Sequence, residues 1–242
     1  MRTLVVIPTY QEAENIGVVL QQLREAVPDV EVLVVDDGSP DGTADLAEAF
    51  GTEHGGVSVL RRPEKAGLGS AYRAGFAWGL ERGFEVLVEM DADLSHNPGT
   101  LPRLLAPVSG DTDADLVIGS RYVPGGAVPN WPAHRLLLSM WGNRYARLML
   151  GLPVNDATAG FRAYRAEALR AIDLSGIAAD GYAFQIEMAY AVWRSGRHVV
   201  EIPIAFTDRV RGTSKMSGRI VVEAMVLVTW WGVRDRLFRR RN

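Results

Sequence analysis

The chain has 242 residues and a mass of 26.5 kDa, with 48% hydrophobic and 23% charged residues, a composition typical of a globular domain that buries a sizeable core. It contains no cysteine, which excludes disulfides and thiolate metal sites and suits a reducing compartment. The apolar run in "MRTLVVIPTY" is too short for a signal peptide. The run "AMVLVTWWGV" has ten residues, whereas a bilayer span needs about 20.

The net charge of −3 is distributed unevenly along the chain. From Arg209 onward nine Lys and Arg residues stand against two acids, a net +7, whereas the preceding 208 residues carry a net −10. This asymmetry predicts that the C-terminal segment meets an anionic surface or ligand, with a merely solvated basic tail as the alternative.

Five short β-branched runs predict buried strands at residues 3–8, 30–37, 57–62, 84–91 and 114–121. Apolar residues recur at helical spacing between the first two runs, and "GSAYRAGFAWGLERG" predicts a small-residue helix that packs closely on a sheet. Repeated strand–helix–strand units predict an α/β fold with a mostly parallel, Rossmann-like sheet and right-handed crossovers.

Beyond Arg121 the pattern becomes more helical. It predicts an amphipathic helix at 133–152, another helix at 181–196, a final strand at 198–209 and a terminal helix at about 218–237. No linker or repeat divides the chain, so we expect one domain, with 1–217 as its body and 218–242 as a C-terminal amphipathic helix and basic tail.

Polar clusters follow the predicted strands at the point where each strand ends. They are "PTYQEAEN", "DDGSPDGT", "DADLSH" and "GSRY". Because ligands of open α/β sheets bind outside the carboxyl ends of the strands, these four clusters predict one site.

Asp91 and Asp93 lie one residue apart after an apolar run, on one face of an extended segment. An isolated Asp-x-Asp is more often a solvated turn, but on this rim two carboxylates favour a divalent cation. Hard oxygen ligands favour Mg²⁺ or Mn²⁺, which would bridge to a diphosphate. Ser95 is a candidate third contact, either direct or through water.

The first two clusters predict a nucleotide subsite. Asp36 and Asp37 offer carboxylates for a ribose hydroxyl or a base edge, with a turn and helix cap as an equal alternative. Tyr10 offers a ring for stacking next to Pro8. Glu12 offers an acceptor, or else a charge that the helix dipole favours.

Several enzyme classes are excluded by specific absences. The first turn has no glycine fingerprint for a dinucleotide, and the chain has no Walker lysine motif, no HExxH and no G-x-S-x-G elbow. The four histidines are scattered, which favours surface or structural roles for each. A sugar nucleotidyltransferase would need a Gly-rich, Arg-containing first loop, which "IPTYQEAEN" is not.

Six ordered motifs carry a resemblance from about Thr3 to Ser217. "PTYQEAENI", "VVDDGSPDGT", "EMDADLSHNP", "GSRY", "NDATAGFRAYR" and "DRVRGTSKMS" together resemble the family 2 glycosyltransferases. Within that family they are most similar to dolichol- or polyprenol-phosphate mannosyltransferases of the catalytic-domain-only type. The resemblance implies a GT-A-like fold with C-terminal interface helices, and a Mg²⁺ or Mn²⁺ ion.

The resemblance also implies roles for individual residues. GDP-mannose contacts fall on Pro8, Tyr10, Glu12, Val35, Asp37, Asp91, Ala92, Asp93, Arg121, Arg209 and Lys215. The cation falls on Asp91 and Asp93, with Ser95 standing where some relatives carry Gln. The acceptor phosphate falls on Arg121, Arg135 and Ser139, and Asp91, Asp93 and Arg121 form the catalytic set.

Elementary chemistry agrees with an anionic acceptor. A lipid phosphate is already ionised at neutral pH, so it needs alignment and charge neutralisation rather than a general base. Arg135 and Ser139 share one face of the amphipathic helix at 133–152, which would lie in a membrane interface or, alternatively, pack on the sheet as a core helix. Arg209 and Lys215 lie on a Gly- and Ser-containing loop that would close over a diphosphate.

We therefore expect inverting, metal-dependent transfer of mannose from GDP-mannose to polyprenyl phosphate, peripherally at the cytoplasmic face of a membrane. Trp230, Trp231 and the "RRR" end would contact that membrane or an integral partner protein, and no nucleic-acid partner is expected. The alternatives are a UDP-sugar donor such as UDP-glucose, a different acceptor, or a non-catalytic module that binds a nucleotide sugar.

Overall fold

The computed structural model describes residues 1–110, 112–207 and 218–239. Its centre is a seven-stranded sheet in the order β3-β2-β1-β4-β6-β5-β7. The strands are β1 (Thr3–Thr9), β2 (Glu31–Asp36), β3 (Val57–Arg61), β4 (Val86–Glu89), β5 (Leu116–Ser120), β6 (Arg162–Arg165) and β7 (Val199–Pro203). All pairings except those of β6 are parallel, which confirms the α/β, mostly parallel sheet.

Strand β6 runs antiparallel between β4 and β5, and the sequence does not predict it. Its four residues read "RAYR", without the β-branched run that marks the other strands. Arg162 is nevertheless fully buried, because its guanidinium donates to the carbonyl oxygens of Ala157, Ala159 and Gln185, each at 2.7 Å. Buried carbonyls supplied from elsewhere in the fold therefore satisfy an arginine that hydropathy assigns to the surface.

Helices cover both faces of the sheet, so alternate residues of each strand enter separate cores. In β1, Leu4 and Val6 join one apolar cluster while Val5 and Ile7 join the other. A parallel sheet buried on both faces reads as a continuous apolar run, as these strands do. The helices are α1 (Ile16–Ala26), α2 (Thr43–His54), α3 (Leu68–Glu81), α4 (Leu101–Ser109), α5 (Ala133–Leu150), α6 (Ala166–Arg170), α7 (Gly181–Arg194) and α8 (Gly218–Arg239).

Helix α3 approaches the sheet closely through its glycines, as the small-residue pattern predicts. A Cβ built on Gly75 would stand 2.3 Å from the Val6 Cγ1, and one on Gly79 would stand 2.7 Å from a Leu87 methyl. The missing side chains let the helix backbone lie against β1 and β4. This contact brings the N-terminal end of α3 to the carboxyl edge of the sheet.

Helices α5 and α8 pack on each other and leave apolar faces outward. The Tyr145 and Thr229 hydroxyls lie 2.6 Å apart, and a Cβ on Gly232 would stand 2.6 Å from the Met149 carbonyl oxygen. Of the thirteen large apolar side chains exposed in the described residues, ten belong to these helices: Leu137, Leu138, Met140, Trp141, Leu148, Val222, Val226, Trp230, Val233 and Leu237. A core position for α5 is therefore wrong, since it buries only Asn143, Ala146 and Leu150.

The two tryptophans of α8 have opposite environments. Trp230 is 61% exposed, whereas Trp231 is buried with Ala224 and Val228 in the core cluster. The expected external contact at Trp231 is thus corrected, because adjacent helical residues point about 100° apart and only one can face outward. Within the described residues no helix is long and apolar enough to span a membrane.

Substituting Gly75 with alanine should destabilise the fold. Alanine has the better helix propensity by about 1 kcal/mol, but its methyl overlaps Val6, and overpacking of this kind costs about 1–3 kcal/mol. Gly17→Ala in α1 is the matched control, because nothing lies within 4 Å of a Cβ there. Urea denaturation should show a lower free energy of unfolding for Gly75→Ala than for the wild type, and no decrease for Gly17→Ala. Equal unfolding free energies for the two variants would contradict the close packing.

Candidate active site

A cleft of about 790 Å³ opens at the carboxyl ends of the strands. Residues of all four polar clusters line it, so the predicted convergence at one edge of the sheet is confirmed. Nine of the residues predicted from the sequence line it: Pro8, Tyr10, Glu12, Asp37, Asp91, Ala92, Asp93, Arg121 and Arg135. Strand topology accounts for this convergence, because β1, β2, β4 and β5 all end at the same edge.

The adjacent acids Asp36 and Asp37 have different tasks. Asp36 is the turn-forming residue: its carboxylate accepts from the Thr9 hydroxyl and from the amide and hydroxyl of Ser39, at 2.6–2.9 Å. Asp37 lines the cleft, where it pairs with Arg62 at 2.9 Å and accepts from the Ala66 amide at 3.1 Å. Of the two, Asp37 is therefore the one able to meet a ligand.

The end of β1 supplies an aromatic wall. The Lys65 ammonium lies 4.2 Å from the centre of the Tyr10 ring, and both residues line the cleft. Glu12 lines the cleft, and its carboxylate accepts from the Asn15 side chain just before α1. Its role as an acceptor for a base or ribose stays a prediction. The ring, the ammonium and the acids offer stacking and hydrogen bonding to a base or a ribose.

Asp91 and Asp93 lie on one wall of the cleft, directly after β4. The Tyr72 hydroxyl lies 3.3 Å from the Asp91 Oδ1, and Asp91 retains 31% of its side-chain surface. Ser95 is fully buried and donates from both its amide and its hydroxyl to the Asp93 Oδ1. Ser95 thus supports Asp93 in this structure rather than facing the cleft.

Arg121 is held by a buried carboxylate. Its Nε and one terminal nitrogen donate to the two Asp156 oxygens at 2.7 and 2.6 Å, and Thr158 accepts at 2.8 Å. Burial alone would raise the pKa of Asp156, but the Arg121 guanidinium holds that pKa below its usual value. The Glu201 carboxylate in turn accepts from the Asp156 amide at 2.9 Å. The fork of Arg121 is therefore fixed before any ligand binds.

Arg135 and Ser139 lie one turn apart on α5, as the spacing predicts. The Arg135 guanidinium stacks over Trp131, 3.9 Å from the ring centre, and lines the cleft together with Arg121. Ser139 does not line the main cleft; its hydroxyl accepts from Tyr122 at 2.7 Å. It lines a smaller adjoining pocket of about 90 Å³ between α5 and α8, which Arg121 and Arg135 also reach.

One predicted contact lies away from the cleft, and two others cannot be compared with it. The Val35 side chain is buried in the core and is not among the lining residues. Arg209 and Lys215 lie outside the described residues. The described chain leads up to that segment at Thr207, whose amide donates to the Ser95 carbonyl oxygen at 3.3 Å.

Sequence reasoning missed several residues that the fold brings to the site. His96 lines the cleft beside Asp91, although scattered histidines favoured a surface or structural role. Its place within "DADLSH" was the available signal. Asp156, which holds Arg121, lies in the motif "NDATAGFRAYR", but the sequence assigned it no role. Lys65, Asp180 and Gln185 line the cleft, and the sequence assigned no role to them either.

The carboxylate pair fits a divalent cation that is shared with a substrate. Among the described residues no group of three or more His, Cys, Asp or Glu has metal-binding geometry. Two carboxylate ligands with the remaining positions filled by substrate and water are typical of Mg²⁺. No Arg or Lys among the described residues forms an ion pair with Asp91, so its charge remains available to a cation.

The mostly parallel sheet with a cleft at its strand ends is a fold of the GT-A type, and comparison specifies the family. The model of glycosyl transferase family 2 matches residues 4–173. This chain belongs to that family and is a glycosyltransferase.

Curated relatives match nearly the whole chain. The undecaprenyl-phosphate mannosyltransferase of Micrococcus luteus is 57% identical over 98% of this chain and 96% of its own. The polyprenol monophosphomannose synthase of Mycolicibacterium smegmatis is 55% identical over 100% of this chain and 91% of its own. The dolichol-phosphate mannosyltransferase of Pyrococcus furiosus is 36% identical over 98% of this chain, but the match spans 66% of that relative.

Solved structures support the fold. Glucosyl-3-phosphoglycerate synthase from Mycobacterium tuberculosis, in complex with Mn²⁺, uridine diphosphate and phosphoglyceric acid, superposes with a TM-score of 0.67 at 18% identity. The match covers 94% of this chain and 78% of that structure. At this identity the likeness establishes the shared GT-A architecture.

Replacing Asp156 with asparagine should destabilise the protein in a pH-dependent way. Losing one partner of a buried ion pair costs about 3–5 kcal/mol at neutral pH, because Arg121 keeps its charge. The folded-state pKa of Asp156 is lowered, so the carboxylate contributes stability above its unfolded value of 3.8 and loses that contribution as the pH falls further.

Urea denaturation of the wild type and Asp156→Asn should therefore show a gap in unfolding free energy at pH 7 that narrows below about pH 4. The exposed Asp113→Asn is the control and should change stability by less than about 0.5 kcal/mol. A gap that stays constant from pH 7 to pH 3 would contradict an ionised, paired Asp156.

Proposed function

We propose that this enzyme transfers mannose from GDP-mannose to a polyprenyl phosphate. The observation that carries the proposal is the arrangement of charge in one cleft, with Asp91 and Asp93 on one wall and Arg121 and Arg135 facing the same space. The relatives that match nearly the whole chain bear the names of mannosyltransferases that act on undecaprenyl phosphate or make polyprenol monophosphomannose.

The donor would lie along the strand ends from β2 to β4. Tyr10, Lys65 and Asp37 offer stacking and polar contacts for the nucleoside. The diphosphate would then reach Asp91 and Asp93, which would hold Mg²⁺ or Mn²⁺. When bound, that cation supplies charge neutralisation to the departing diphosphate.

The acceptor phosphate would lie near Arg121 and Arg135. Both arginines line the cleft and the adjoining pocket, and their N–H groups can donate to phosphate oxygens. Arg121 would donate from its second terminal nitrogen, because Asp156 and Thr158 hold its Nε and the first. One phosphate oxygen forms the new bond to C1 of mannose while the C1–O bond to the diphosphate breaks, with inversion, and its electron pair leaves with GDP. No proton needs to move, so the site needs no general base.

The adjoining pocket favours a lipid on that phosphate. It lies between α5 and α8, beneath the arginines, and Leu138, Ala146, Met225 and Val228 contribute its apolar wall. The exposed apolar faces of the same two helices provide the surface that would rest in the membrane interface, with Arg144 and Arg147 of α5 toward anionic headgroups. The cytoplasmic face remains a prediction from the sequence.

Arg209 and Lys215 would complete the neutralisation of the diphosphate. Their segment follows Thr207, which hydrogen-bonds to Ser95 immediately behind Asp93. Two basic residues entering at this point would add positive charge next to the predicted cation, where the leaving diphosphate gathers negative charge.

A panel of labelled sugar nucleotides offered with polyprenyl phosphate and Mn²⁺ tests the donor. Label should enter the organic phase from GDP-mannose, and Asp91→Ala should reduce it to background because the cation loses one of its two protein ligands. The exposed Glu81→Ala should transfer at the wild-type rate. Label entering only from a UDP-sugar, or a full-rate Asp91→Ala enzyme, would overturn the assignment.

Flotation with anionic vesicles tests the membrane surface. The double variant Trp230→Gln, Leu237→Gln removes two side chains that are more than 60% exposed on one face of α8. Losing about 2 kcal/mol of interfacial burial should weaken vesicle binding roughly 30-fold. Leu46→Gln on α2, 49% exposed, is the control and should float like the wild type. Equal flotation of both variants would exclude α8 as the contact surface.

A further inference from the structure

Two buried side chains flank the carboxylate of Asp91, and the activity proposed above gives neither of them a role. The Tyr72 hydroxyl lies 3.3 Å from Oδ1, and the His96 Nε2 lies 3.7 Å from Oδ2. Tyr72 is fully buried and His96 is 3% exposed, whereas Asp91 opens to the cleft. A side chain able to donate a hydrogen bond thus stands beside each oxygen of a predicted metal ligand.

Aromatic packing fixes both rings. Tyr72 stacks parallel to Phe184 with ring centres 5.9 Å apart and an interplanar angle of 3°. The His96 ring stacks on Phe161 at 5.1 Å and meets the edge of Phe206 at 5.3 Å. Because neither ring can rotate away without breaking these contacts, each presents its polar atom to Asp91 in a set direction.

His96 is also incompletely satisfied. Within the part of the chain that the structure describes, neither of its ring nitrogens has a hydrogen-bond partner. Leaving a buried polar group without a partner costs about 1–3 kcal/mol, so such a group is expected to find one in the working state. The Asp91 Oδ2 is a carboxylate acceptor 3.7 Å from Nε2, a few tenths of an ångström beyond hydrogen-bond distance.

The space in front of Asp91 permits this adjustment. A Cβ built on Gly160 would stand 3.5 Å from Oδ2, so the glycine leaves the carboxylate free of a side chain on that side. A shift of the carboxylate toward His96 would bring Nε2 within bonding distance while the Tyr72 bond persists. Each oxygen then keeps a further lone pair for a cation.

We propose that Tyr72 and His96 are positioning residues that together fix the Asp91 carboxylate for the divalent cation. Tyr72 donates to Oδ1, and His96 donates from Nε2 to Oδ2 when the cation and nucleotide are bound. Neither residue is a lysine or arginine, so the pair orients the carboxylate without placing a permanent positive charge beside the cation. Outer residues of this kind typically change metal affinity by about 10–100-fold. The inference rests on the proposed function only in assigning Asp91 to a cation.

Binding of Mn²⁺ in the presence of GDP, measured from the electron paramagnetic resonance signal of free Mn²⁺, tests the pair without relying on activity. Tyr72→Phe and His96→Phe keep the aromatic packing and remove the donors, and each should weaken Mn²⁺ binding about 10–100-fold. His96→Gln, whose amide nitrogen can stand near the place of Nε2, should retain affinity within about fivefold of the wild type. In turnover assays the Mn²⁺ requirement should rise while kcat at saturating Mn²⁺ stays close to that of the wild type.

Tyr164→Phe is the matched control. Tyr164 is another fully buried tyrosine at the same sheet, but its hydroxyl donates to Glu89 at 3.1 Å and not to Asp91. It should bind Mn²⁺ within about twofold of the wild type. Wild-type affinity in Tyr72→Phe or in His96→Phe would overturn the pair, as would an equal loss in Tyr164→Phe. If His96→Phe fails to fold, His96→Gln serves in its place. The donor role of Nε2 would then be overturned if His96→Gln lost as much Mn²⁺ affinity as Tyr72→Phe. A wild-type protein that binds no Mn²⁺ would overturn the cation assignment of Asp91 itself.

Discussion

The placement of opposite charges in one cleft is the constraint on which the rest of the structure depends. Asp91 and Asp93 follow β4, Arg121 follows β5, and Arg135 lies in α5. These negative and positive side chains line the same cleft and must do so without pairing with each other. The fold meets this constraint by giving each charge its own support: Asp156 holds Arg121, Trp131 carries Arg135, and Tyr72 contacts Asp91. The charged side chains of the cleft are thereby held in place before any ligand binds, as the proposed transfer requires.

Holding these charges in place requires charged groups in the interior, and burying a charge is unfavourable in free energy. Asp156 and Arg162 lie in the interior, where an ion without partners is strongly unfavourable. Each therefore has several partners. Asp156 accepts from the guanidinium and the backbone amide of Arg121 and from the Thr158 hydroxyl, and Arg162 donates to three carbonyls. The Arg162 bonds tie Ala157 and Ala159 to Gln185 of α7, so the same contacts that satisfy the buried guanidinium also hold the loop beside Asp91 in place.

The outer helices α5 and α8 differ from the rest of the fold in how much apolar surface they leave exposed. Helices α5 and α8 bury little of their own apolar surface and present the remainder outward next to the basic end of the cleft. An apolar surface of this extent is unusual on a monomer that stays in water. In the proposed reaction, a lipid-borne phosphate would reach Arg121 and Arg135 from the pocket between α5 and α8, and a nucleotide would approach from the side of the strands.

The sequence by itself determined the alternation of strands and helices, the single rim and most of its polar residues, because buried parallel strands and the turns after them have strong local signatures. It even placed Asp37, Asp91 and Arg121 correctly at the cleft. Only the tertiary structure decided that β6 is a strand, that Asp36 serves the turn, that Trp231 is internal and that His96 faces Asp91. Each of these depends on partners distant in the chain, whose contacts outweigh local propensity and leave no periodic signal to read.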